Sequence, residues 1–75
     1  MEASARRDRF IKLGEKRVIR AIRELRLIGN LANRSNYTYA KADVDKIMRV
    51  LEAEIKLLRH RFELGGKKED IEFKL

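Results

Sequence analysis

Residues 10–28 read FIKLGEKRVIRAIRELRLI, and within them Ile11, Gly14, Val18, Ala21, Leu25 and Ile28 follow one another at steps of +3, +4, +3, +4 and +3. Residues 44–62, VDKIMRVLEAEIKLLRHRF, behave alike, with Val44, Met48, Leu51, Ile55, Leu58 and Phe62 spaced +4, +3, +4, +3 and +4. A strand sends successive side chains to opposite faces and would scatter either set across both sides. A helix, turning once in about 3.6 residues, gathers each set into one stripe. The sequence therefore predicts an all-α chain, with helices over about 5–28 and 41–63, a connector over 29–40 and a tail over 64–75. Its 75 residues form one small domain.

The punctuation supports these limits. There is no Pro, and the four Gly stand at 14, 29, 65 and 66. Ser4 is placed to cap the first helix, and Gly29 suits a left-handed residue at its end. Thr38 is the expected cap of the second helix, with Asp43 in its first turn against the helix dipole.

A 12-residue connector is short enough to return the second helix antiparallel to the first, as a two-helix hairpin. Gly14 and Ala21 would let the backbones approach, with Met48, Ile55 and Phe62 filling the space. The apolar surface is wider than such a seam. Phe10, Leu13, Ile22 and Leu27 extend it on the first helix, and Ile47, Val50, Leu57 and Leu64 on the second. A lone hairpin cannot cover that arc, and a chain this small buries only about 60% of its unfolded surface. A second copy, completing a dimeric four-helix bundle, is the expected partner. In the tail, Ile71-Glu72-Phe73-Lys74-Leu75 alternates as a half-buried strand does, and reads as a short extended segment or a frayed end.

Charge is unevenly distributed. Lys and Arg number 19 against 12 Asp and Glu, for a net +7, and residues 1–28 alone hold nine basic and four acidic side chains. Numbering the heptad from Ile11 as its first position puts Arg9, Lys16 and Arg23 on the line farthest from the seam. Arg6 and Arg20 stand to one side of that line, and Lys12 and Arg26 to the other. The acids Asp8, Glu15 and Glu24 sit beside the seam instead. Solvated helix faces ordinarily interleave the two signs, whereas an unmixed basic ridge suits a phosphate backbone. The candidate nucleic-acid contacts are thus Arg6, Arg9, Lys12, Lys16, Arg20 and Arg23, joined by Arg34 of the connector.

The connector, Asn30-Leu31-Ala32-Asn33-Arg34-Ser35-Asn36-Tyr37-Thr38-Tyr39, holds three Asn and both Tyr of the chain. Asn33, Asn36, Tyr37 and Tyr39 are candidate contacts to a ligand or partner, through amide hydrogen bonds and ring stacking. The same residues would equally build a turn, since Asn and Ser hydrogen-bond their own backbone.

Several function classes are disfavoured. Without Cys there is no disulfide framework and no thiolate zinc site. The one His, His60, stands between Arg59 and Arg61, and Gly65-Gly66-Lys67-Lys68 lacks the spacing of a phosphate-binding loop. No catalytic residue, metal or cofactor is expected. No apolar run approaches the roughly 20 residues needed to span a bilayer, and residues 1–10 lack the apolar segment of a secretory leader, so a cytoplasmic protein without membrane association is expected. The reading that results is a non-enzymatic nucleic-acid-binding protein acting through the ridge of the first helix. The alternative is a protein–protein adaptor or regulatory subunit docking through its wide apolar face or its connector.

Overall fold

The computed structural model describes residues 2–66. They are all-helical: α1 spans Glu2–Gly29, a single 3-10 turn spans Asn30–Ala32, and α2 spans Lys41–Glu63. The chain divides between Thr38 and Tyr39 into two compact units, one built on α1 and the other on α2.

In the first unit α1 runs unbroken for 28 residues, about 42 Å at 1.5 Å per residue. Arg, Lys, Glu, Leu and Ala dominate it, all strong helix formers, and Gly14 is the only weak residue in its interior. The helix begins earlier than the sequence predicts. Ser4 lies inside the first turn rather than capping it, because residues 2 and 3, Glu and Ala, are themselves good helix formers. The far end also differs. Gly29 keeps right-handed angles, φ −58° and ψ −29°, so it does not terminate the helix as a left-handed residue. The chain instead tightens into the 3-10 turn, where the Asn33 N–H donates to the Asn30 carbonyl at 3.3 Å. That i→i+3 geometry takes up carbonyls an α-helix end leaves unpaired.

In the second unit α2 is capped by residues other than the expected Thr38. The N-cap is Ala40, extended at φ −107° and ψ 163°, and its N–H donates to Asp43 Oδ2 at 2.8 Å. Ala40 offers no side-chain acceptor in return, so this is half of a capping box, made by the acid at the third helical position. Thr38 stands two residues too early to reach it. Lys41 Nζ and Asp45 Oδ2 add an i,i+4 ion pair at 2.8 Å, exposed and therefore worth at most a few tenths of a kcal/mol. At the other end the Gly66 N–H donates to the Arg61 carbonyl at 2.9 Å, and the Gly65 N–H to Phe62 at 3.1 Å. This Schellman pair needs left-handed backbone just past the helix, and Gly65 and Gly66 supply it at φ 67° and 84°. The extended segment anticipated near 71–75 lies outside the described residues.

Among the described residues no side chain is buried. Along the α1 stripe Val18 is 58% exposed and Leu25 46%; along the α2 stripe Ile55 is 55% exposed and Phe62 65%. In folded proteins most helical stability comes from packing an apolar face rather than from propensity. Each of these side chains would contribute about 1.5–3 kcal/mol if covered.

Candidate nucleic-acid interface

The unbroken α1 helix turns sequence spacing into geometry. At about 3.6 residues per turn, Arg9, Lys12, Lys16, Arg20 and Arg23 fall within an arc of about 80°, in a row about 21 Å long. Their spacing is +3, +4, +4, +3, so each is the neighbour of the next on the helix surface. Between Arg9 and Arg23 no other residue falls inside the arc. The row lies about 170° around the helix from the apolar stripe, close to diametrically opposite. All five side chains are exposed, and among the described residues none of them forms an ion pair.

The ridge residues predicted from sequence are not all equivalent. Arg6 falls about 60° beyond Arg9 and lies at the edge of the row. Arg34 is exposed in the connector, within the same unit as α1. Arg7, not among the predicted residues, has its guanidinium 5.6 Å from the centroid of the Phe10 ring, a cation–π contact across one helical turn. The i,i+3 spacing of Arg7 and Phe10 was the available signal.

α2 carries a second, sparser basic line that the sequence reading passed over. Lys46, Arg49, Lys56 and His60 occupy one face at spacings of +3, +7 and +4, interrupted by Ala53. Asp45 and Glu63 fall about 20° from Lys56, whereas the nearest acid flanking the α1 row is about 40° away. His60 is half-buried, and its Nδ1 lies 3.7 Å from Glu63 Oε2, so acid adjoins this line directly.

In the connector Asn33 organises a turn. Its Oδ1 accepts the Ser35 N–H at 3.0 Å, and its carbonyl accepts the N–H groups of Asn36 at 3.1 Å and Tyr37 at 3.0 Å. This is an Asx turn, with the side chain standing in for backbone. Asn36 enters the turn through its own N–H, Tyr37 is 47% exposed, and Tyr39 is half-buried. Asn33→Ala should therefore lower stability by about 1 kcal/mol, as the loss of a comparable side-chain cap does. Arg34→Ala and Tyr37→Ala should stay within about 0.5 kcal/mol. Urea unfolding followed by circular dichroism measures all three, and Arg34→Ala as the most destabilising of the set would make Arg34 part of the scaffold.

Among the described residues no group of three or more Asp, Glu, His or Cys side chains is placed to hold a metal ion, and no helix is long and apolar enough to cross a membrane. Comparison with protein-family models, with curated proteins and with solved structures finds no match for this chain.

Proposed function

We propose that this is a non-enzymatic nucleic-acid-binding protein whose α1 row, Arg9, Lys12, Lys16, Arg20 and Arg23, contacts phosphates, with Arg6 and Arg34 at its margins. The observation that carries the reading is the row itself, five exposed cations in sequence with no acid among them. The row is not neutral for the helix. Like charges at i,i+3 and i,i+4 oppose helix formation by about 0.2–0.5 kcal/mol per pair, and the row contains four such adjacent pairs. A face that only kept the chain in solution would lose nothing by interleaving Glu. A polyanion laid along the row turns this repulsion into attraction.

The apolar stripes are read as the assembly surface. On this reading a second copy of the chain covers them, in a four-helix bundle. Because the α1 row is opposite the α1 stripe, covering the stripe leaves the phosphate contacts in water. The exposed stripes also support the alternative, an adaptor whose apolar face docks another protein.

Titration with salt tests the primary reading. Five phosphate contacts on duplex DNA give log K against log salt a slope of about −4.5, or roughly 500-fold weaker binding between 50 and 200 mM. Fluorescence anisotropy with a labelled duplex reads this directly. No binding at low salt to duplex, single-stranded DNA or RNA removes the proposal and leaves the adaptor.

A further inference from the structure

We infer that α2 packs antiparallel against α2 of a second copy of this chain, with Glu54 of each against Arg61 of the other. The inference rests on the assembly reading above and gives it an orientation and a register. Every other Lys, Arg, Asp and Glu of α2 has an opposite charge three or four residues away, as Lys41 has in Asp45 and Arg59 in Glu63. Glu54 and Arg61 have none. The residues three and four places from Glu54 are Val50, Leu51, Leu57 and Leu58, and those from Arg61 are Leu57, Leu58, Leu64 and Gly65. Both charged side chains are exposed, and among the described residues neither forms an ion pair. Val50, Leu57 and Leu58 are exposed with them. An acid and a base therefore stand within apolar surface, each without a partner on its own helix.

The two lie almost on one line of the helix, about 20° apart around it and about 10.5 Å apart along it. A twofold axis midway between residues 57 and 58 sets Glu54 of one copy on Arg61 of the other, and Arg61 on Glu54, so the contact is made twice. The same rotation brings Leu57 against Leu58 across the axis and Val50 over Gly65, which has no side chain to obstruct it. Gly65 lines an open cleft at the end of α2 with Leu58, Arg61, Phe62 and Gly66, and Glu54 of the second copy meets Arg61 there. A parallel pair would instead oppose Glu54 to Glu54 and Arg61 to Arg61. A different protein would need a base and an acid of its own in matching order, whereas a second copy already carries them. A charge covered by apolar surface is costly unless paired, so the two contacts reject wrong registers more than they add affinity.

The test uses the full chain. Glu54→Arg puts Arg against Arg61 at both contacts and should weaken self-association by at least about 100-fold, and Arg61→Glu should do the same with two acids. Circular dichroism should show unchanged helix content, because neither side chain has a partner within α2. Mixed in equal amounts, the two variants should pair with each other, and mixed dimers should outnumber like pairs by at least about tenfold. Native mass spectrometry counts them, since the two chains differ in mass. Glu54→Arg with Arg61→Glu in one chain restores opposite charges at both contacts and should dimerise as the wild type does. A mixture at parity, a double variant that fails to recover, or Glu54→Arg dimerising undiminished overturns the inference and leaves a dimer of another arrangement. A wild-type chain that stays monomeric at micromolar concentration overturns the assembly reading itself.

Discussion

Lys16→Glu combined with Arg23→Glu should weaken duplex binding by at least about 100-fold and make the salt slope shallower by about 1.8, the share of two lost contacts. Both side chains are exposed and lie away from the apolar stripe, so assembly should not change. Helix content at low salt should hold or rise. Glu at 16 stands one turn from Lys12 and from Arg20, and replaces two repulsive pairs with attractive ones. A fall in binding accompanied by equal or greater helicity cannot be ascribed to unfolding. Lys41→Glu with Arg59→Glu makes the same change in net charge off both basic lines, and should cost only a few-fold. Equal losses in the two double variants would show that total charge, not the row, drives binding.

Leu57→Glu should dissociate the proposed dimer. Leu57 is 54% exposed and belongs with Val50 and Leu64 to the apolar line beyond the α2 stripe. In a twofold dimer each substitution is made twice, so two burials of about 1.5–3 kcal/mol are lost, about 10²–10⁴-fold in the dimerisation constant. Sedimentation equilibrium should find twice 8.9 kDa for the wild type at micromolar concentration and a single chain for the variant. A well-folded wild-type monomer at that concentration would refute the bundle.

The helices were legible in the sequence because twelve apolar residues keep one period over two long segments, and no local competition overrides a pattern of that length. Their ends were not. Ser4 and Thr38 have the chemistry of caps, yet capping is decided by which neighbour first satisfies a free N–H, and Asp43 settles it for Ala40 from three residues ahead. Gly29 permits left-handed backbone without requiring it, whereas Gly65 and Gly66 adopt it because the Schellman hydrogen bonds demand it. The α1 row could be read from spacing alone, since charge on a continuous helix follows its angular position. The sparser line on α2 escaped notice because residues 44–75 are nearly neutral in sum, and that sum hides Lys46, Arg49 and Lys56. Asn33 was open to two readings from sequence, and its Oδ1 accepts the Ser35 N–H, the bond that the turn reading expects.

The opposition of row and stripe on α1 has a bearing on valence. Whatever the stripe rests against, the row points the other way, so two chains joined through their stripes hold their rows on outward surfaces. On the proposed reading such a particle would be bivalent for a polyanion. Once one row is engaged, the other meets a second stretch of the same polyanion at an effective concentration in the millimolar range, and avidity can exceed the single contact by 10²–10⁴ where the geometry permits both. Weak, salt-sensitive contact by each chain would then become firm retention by the pair, and the strength of binding would follow the degree of assembly.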